Sequence, residues 1–194
     1  MHNNKEMRAF FDAAAAAWPS GECERGVREK ILRRAGLQEG MTIADIGCGR
    51  GVMIEQLLQY KPRKLIEIDI SREMIRLCEK DHPDVCAEYL CDDVLSASLP
   101  VLDAAIIFNA YPHLVHKHEL AQKLADIVVK GGFVLIAHST GRDVINSRHS
   151  SDDVAALSVD LLSPLDEYRY FENAFSRDDF EDSPELYFLK MTRK

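Results

Sequence analysis

The feature that most constrains this chain is a short apolar run that ends in three alternate glycines, Ile43-Ala44-Asp45-Ile46-Gly47-Cys48-Gly49-Arg50-Gly51, and leads into an amphipathic stretch over residues 52–59. Glycine has no Cβ, so such a turn lets the backbone approach a ligand closely, and the helix behind it offers unpaired N–H groups in its first turn. A buried strand, a glycine turn and a helix in that order begin a βαβ unit, which directs the chain towards an α/β architecture on a mostly parallel sheet. Dinucleotide folds space these glycines as G-x-G-x-x-G, with the pyrophosphate on the helix end. Here the spacing is G-x-G-x-G.

The remaining periodicity agrees with that architecture. Strands are expected at residues 42–46, 64–68, 87–91, 104–108 and 133–137, and helices between them at residues 52–59, 72–80 and 119–129. Ser71 stands where a helix N-cap is wanted, with Glu73 in the first turn. Lys130-Gly131-Gly132 is expected to end the last of these helices and turn the chain into a strand. Ser163-Pro164 opens a helix to about residue 174 with Leu165, Tyr168 and Phe171 inward, and residues 186–191 read as a closing strand. Two helices precede the first strand. One covers residues 4–18 and is stopped by Pro19-Ser20-Gly21; the other covers residues 22–35, with Val27, Ile31, Leu32 and Ala35 at helical spacing and Gly36 at its end. With no repeat or linker, a single domain is expected, residues 1–40 forming a helical cap and residues 41–194 the core.

Composition narrows the function. A net charge of −8 gives no global attraction to phosphate backbones, so no nucleic-acid partner is expected. No apolar run approaches the roughly 20 residues that span a bilayer. The first ten residues lack the apolar centre of a secretory signal, which points to the cytoplasm. Five cysteines, Cys23, Cys48, Cys78, Cys86 and Cys91, form no C-x-x-C pair and are read as reduced thiols.

The glycine spacing, with Asp45 two residues before Gly47, resembles motif I of the class I S-adenosylmethionine-dependent methyltransferases. The resemblance continues in chain order. Residues 65–71, Leu-Ile-Glu-Ile-Asp-Ile-Ser, are similar to the second strand of that family and place Asp69 at its ribose-binding acid. Cys91-Asp92-Asp93, followed by Leu99-Pro100, is similar to the adenine-contacting segment, and Lys130-Gly131-Gly132-Phe133 to a turn before strand five, without its proline. Phe10-Phe11-Asp12 through Trp18 looks like the opening of many small-molecule members. The resemblance implies a doubly wound sheet of order 3-2-1-4-5-7-6 with the last strand antiparallel, and S-adenosylmethionine as cofactor. It implies a cofactor-binding set of Asp45, Gly47, Cys48, Gly49, Gly51, Asp69, Ile70, Asp92, Asp93 and Asn109. Asn109-Ala110-Tyr111-Pro112 differs from the N-P-P-Y box of amino-group methyltransferases at both central positions, so no amino acceptor follows from it.

The acceptor side is read from the histidines. His113, His116 and His118 follow the fourth strand, and His138 and His149 follow the fifth. His116 and His118 fit the solvated start of a helix. His113 and His138 are candidate general bases, since imidazole titrates near neutral pH, and Tyr111 is a candidate wall of the acceptor site. A metal set of His113, His138 and His149 is an alternative without a recognised ligand spacing. The expected function is methyl transfer to a small molecule with release of S-adenosylhomocysteine. The rivals are transfer of another alkyl group on the same fold, and ligand sensing or chaperoning without catalysis.

Overall fold

A strand in the middle of a parallel sheet is covered on both faces, and β1 (Thr42–Ile46) is accordingly buried at every position. The computed structural model describes residues 4–18, 24–83, 85–149 and 152–194, excepting the side chains of residues 152–154. Helix α1 (Asn4–Ala14), a 3-10 turn (Ala15–Ala17) and α2 (Arg25–Ala35) precede β1. After it come α3 (Ile54–Leu58), β2 (Lys64–Asp69), α4 (Arg72–Asp81), β3 (Glu88–Cys91), β4 (Leu102–Phe108) and α5 (Lys117–Ile127). The chain closes with β5 (Val128–His138), α6 (Arg142–His149), α7 (Pro164–Phe171), β6 (Phe175–Ser183) and β7 (Leu186–Arg193).

The seven strands form one sheet of order β3-β2-β1-β4-β5-β7-β6, as the resemblance implied. Strands β1 to β5 pair in parallel, while β7 runs antiparallel to both β5 and β6. Strand order reverses between β1 and β4, and open α/β sheets hold ligands at the carboxyl ends of strands beside such a switch point. Apolar residues fill both faces: Ile46, Ile68, Ala105 and Ile136 lie in one core, and Ile43, Leu65, Ile106 and Leu135 in the other.

Local chemistry fixes several boundaries. Ser71 Oγ accepts from Met74 N–H at 3.1 Å, and Ser163 Oγ accepts from Asp166 N–H at 3.2 Å, so each hydroxyl caps its helix as its position suggested. The first helix becomes a 3-10 turn at Ala15, where the small side chain packs against Met74 and Leu77 of α4. Pro19-Ser20-Gly21, Glu22 and Cys23 lie outside the described residues. Two expectations are corrected. Lys130-Gly131-Gly132 does not separate helix from strand: α5 ends at Ile127, and the glycines form a bulge inside β5, where the register against β4 shifts and Gly131 takes φ +79°. A Cβ on Gly132 would stand 2.7 Å from the Asp103 carbonyl, so that close strand contact requires glycine. Leu165 faces outward, 45% exposed, because Glu167 takes the inward position of α7 beside Phe171.

Candidate active site

The glycine turn, the end of β2 and the end of β3 meet along one wall of a cavity of about 760 Å3 at the carboxyl edge of the sheet. Gly47, Cys48, Gly49, Asp69, Ile70, Asp92, Asp93 and Asn109 all line it. Gly47 adopts φ +73°, and a Cβ there would stand 2.5 Å from the Ala110 Cβ, so the turn is closed to any larger residue. Asp69 organises this wall: one carboxylate oxygen accepts from Gly49 N–H at 2.9 Å and the other from Ser71 N–H at 2.8 Å. Burial pushes the Asp69 pKa up, against the lowering effect of those two bonds. A carboxylate has about four acceptor directions, so both oxygens keep capacity for ribose hydroxyls. Asp92 Oδ1 accepts from Asp93 N–H at 2.8 Å, while Asp93 Oδ2 accepts from the Asn4 amide of α1 at 2.7 Å.

Two members of the implied cofactor set stand elsewhere. Asp45 is 1% exposed and does not line the cavity; its side chain lies behind the turn, beside Glu67 in the register between β1 and β2. Burial, then the Asp69 charge, pushes the Asp45 carboxyl up to about 7, so it is only partly ionised at neutral pH. Gly51 is also withdrawn. A Cβ there would meet Cys78 Sγ and Ile54 Cδ1 at 2.6 Å, so this glycine serves packing beneath the turn.

Helix α1 roofs the cavity, a contribution that the sequence motif Phe10-Phe11-Asp12 only hinted at. Asp12 Oδ1 accepts from Ser71 Oγ at 2.6 Å and from Glu73 N–H at 3.0 Å, and Arg8 Nε donates to the Ile70 carbonyl at 2.9 Å. The roof is thereby tied to the start of α4 and to the end of β2. Met7, Phe10, Phe11 and Trp18 give it an apolar underside.

The far end of the cavity carries the histidines. His113, His138 and His149 all line it, together with His116, Ile145 and Arg148. The His113 ring stands edge-to-face with Phe11 at 5.0 Å and with His149 at 4.9 Å. His113 Nδ1 is 3.1 Å from the Leu157 carbonyl, so the neutral ring donates there and keeps the lone pair on Nε2. Burial lowers the His113 pKa to about 4, with the Leu157 carbonyl opposing, and lowers that of His138 to about 3. The fall in rate expected below about pH 6.5 for an imidazole base is therefore displaced to about pH 4 for His113. The three rings share the cavity without gathering as ligands. Among the described residues, the group of three or more donors whose ligand atoms all lie within 4.8 Å of one another is Cys48, Glu67 and Cys78.

Tyr111 departs from its expected place. It is fully buried and absent from the cavity wall; its hydroxyl donates to Glu167 Oε2 at 2.8 Å, and Lys117 Nζ donates to its carbonyl at 2.6 Å. Glu167 Oε1 in turn accepts from Leu162 N–H at 2.9 Å, so Tyr111 braces the segment carrying His113 against α7. Asn109 has a role that its side chain alone could not announce. At φ +54° it bridges the ends of β4 and β5, with Oδ1 accepting from Ser139 N–H at 3.0 Å.

A doubly wound sheet ending in an antiparallel β7, with an acid on β2 beside a G-x-G-x-G turn, is the architecture of the class I S-adenosylmethionine-dependent methyltransferases. Residues 43–132 match a family model described as a methyltransferase domain, and S-adenosylmethionine is the cofactor that goes with that class. The chain is 32% identical over 110 residues to the 2-methyl-6-phytyl-1,4-hydroquinone methyltransferase of Synechocystis sp., a match covering 55% of this chain and 35% of that protein. It is 31% identical over 128 residues to the ribosomal RNA small subunit methyltransferase A of Chlorobaculum tepidum, covering 54% of this chain and 46% of that protein. The chain thus spans less than half the length of these curated relatives. Its fold superposes with TM-score 0.69 and 13% identity on the N-methyltransferase NodS of Bradyrhizobium japonicum in complex with S-adenosylhomocysteine, over 89% of this chain and 88% of that one. No helix of the described residues is long and apolar enough to cross a membrane.

Proposed function

We propose that this protein transfers a methyl group from S-adenosylmethionine to a small, largely apolar acceptor and releases S-adenosylhomocysteine. The observation that carries the reading is the single roofed cavity running from Gly47, Asp69 and Asp92 at one end to His113, His138 and His149 at the other. Its volume lies within the range of small-molecule sites. The residues present fit the cofactor: Gly47 leaves no Cβ in the turn, and Asp69, already anchored by two N–H groups, has acceptor capacity for a ribose.

When bound, the cofactor supplies a methyl group on a sulfonium, with a neutral leaving group. Asp69 would hold the ribose and Asp92 the adenine amino group, and the backbone of Gly47, Cys48 and Gly49 would line the remainder. Phe11 and Trp18 exclude water and hold the acceptor by apolar contact. His113, neutral through the physiological range, takes the acceptor's proton at Nε2 where one must leave, and His138 lines the same end. The net charge of −8 and the roof over the cavity favour a small acceptor over RNA. The exposed thiols of Cys86 and Cys91 suit a reducing compartment, the cytoplasm.

The test is a thermal-shift titration followed by an assay of S-adenosylhomocysteine release across apolar phenols, quinols, amines and thiols. Stabilisation by S-adenosylhomocysteine and turnover with one of these acceptors is the expected result. Stabilisation by NAD alone would remove the cofactor assignment, and methyl incorporation into RNA at physiological salt would remove the small-molecule acceptor.

A further inference from the structure

Behind the glycine turn, outside the cavity's acceptor end, Glu67 is fully buried in β2, and its carboxylate oxygens lie beside the Asp45 carboxyl and the Cys48 thiol without a well-formed hydrogen bond. An unpaired buried carboxyl is costly, and interiors rarely keep one without a partner. Facing it are two buried thiols, Cys48 from the glycine turn and Cys78 from α4, and a ligand atom from each of the three residues lies within 4.8 Å of the others. Gly51 makes this assembly fit, because a Cβ there would stand 2.6 Å from Cys78 Sγ. His82 brings an imidazole edge to the same point, with Cδ2 3.1 Å from that Cβ position.

We propose that Cys48, Glu67 and Cys78 form a buried binding site for a zinc-type divalent cation beneath the glycine turn. Two sulfurs and one carboxylate oxygen are a borderline-soft donor set, which selects Zn2+ over Mg2+ or Ca2+. Zinc holds sulfur at about 2.3 Å and carboxylate oxygen at about 2.0–2.2 Å, so tetrahedral ligands sit roughly 3.5–3.8 Å apart. Closing the present separation onto an ion takes about 1 Å of side-chain movement, within reach of a rotamer adjustment. On binding, the two thiol protons and the carboxylic proton pass to solvent as the ion takes their places. Cys48 lines the cavity whereas Cys78 is wholly enclosed, so the ion enters from the cofactor side. Once there it ties the turn, β2 and α4 together, and Gly49 is the neighbour of Cys48 through which the turn reaches Asp69.

The competing arrangement is a proton shared between Glu67 and Asp45, which are register partners across β1 and β2. The full chain, reduced and stripped of metal with a chelator, is titrated with Zn2+ in competition with a chromophoric chelator, and Co2+ is used as an optical probe. The expected result is about one Zn2+ per chain, a Co2+ spectrum with thiolate charge-transfer bands, and alkylation of Cys48 and Cys78 in mild denaturant that is slower with Zn2+ than without it, while Cys86 and Cys91 react at the same rate in both. Glu67→Gln and Cys78→Ser should each weaken Zn2+ by at least about 100-fold. Should Cys78→Ser fail to fold, the near-isosteric Glu67→Gln and the alkylation map of the unaltered chain decide the matter. Absence of competitive Zn2+ uptake overturns the proposal in favour of the shared proton. Uptake that survives Glu67→Gln but is lost in His113→Ala overturns it in favour of the histidines.

Discussion

The side chains of this site act through what burial does to them. His113 and His138 are held neutral by loss of water rather than by a charge partner, and the lone pair on His113 Nε2 is set by the Leu157 carbonyl on the other nitrogen. His113→Ala is expected to lower kcat by about 100-fold while the affinity for S-adenosylhomocysteine, measured by calorimetry, stays unchanged. For the unaltered chain, kcat measured from about pH 8 down to about pH 5 should show no inflection near 6.5, the ordinary imidazole value. An inflection there would place the base elsewhere. Asp69→Ala is expected to remove most of the thermal stabilisation by S-adenosylhomocysteine, and its failure to do so would take the ribose contact away from β2. Gly47→Ala combines a positive φ with a 2.5 Å contact to Ala110 Cβ, so it should cost on the order of 1–3 kcal/mol in chemical denaturation.

Among the elements, α1 is the part whose function depends on where it docks. Its contacts to α4 and to the end of β2 run through Asp12 and Arg8, and its aromatic residues face the cavity. Asp12→Ala removes an acceptor from the Ser71 hydroxyl and from the Glu73 N–H, and should cost about 1 kcal/mol of stability. A larger effect is expected on catalysis, because loosening the roof admits water. Stopped-flow cofactor binding with the variant should show a faster dissociation rate, and an unchanged rate would mean that α1 is not the lid. Strands β4 and β5 meet the same demand from below, with Asn109 fastening their ends and Tyr111–Glu167 bracing the histidine-bearing segment.

At the scale of the whole molecule, the buried histidines couple folding to pH. In the unfolded chain His138 has its ordinary value near 6.5, and in the fold it is lowered to about 3, so between those limits the unfolded state binds more protons. Its contribution to stability is complete above pH 6.5 and declines as the pH falls towards 3, by on the order of 3 kcal/mol at pH 4. His138→Gln should therefore flatten the low-pH fall in denaturation free energy. The wild-type minus variant difference is the quantity to follow, because the buried carboxyls of β1 and β2 titrate with the opposite sign and cancel in it.

By itself the sequence determined the sheet class, the glycine-and-acid wall of the cavity and most of the strand and helix order, though not α6 or β6, because those depend on short-range chemistry. Hydrophobic period, the glycine turn at Gly47, the Ser71 cap and the acids Asp69 and Asp92 at strand ends are each written within a few residues. What lay beyond it was decided by long-range packing. Asp45 reads as a rim residue until the register with β2 places it beside Glu67, and Tyr111 reads as a pocket wall until α7 supplies Glu167 from 56 residues away. Leu165 reads as inward, but Glu167 takes the buried face of α7, where it accepts from the Tyr111 hydroxyl. The assembly of Cys48, Glu67 and Cys78 has no sequence spacing to announce it, since strand pairing and the packing of α4 bring the three together. Tertiary structure alone decides such sites, because burial and contact between residues far apart in the chain are properties of the packed sheet and not of any segment.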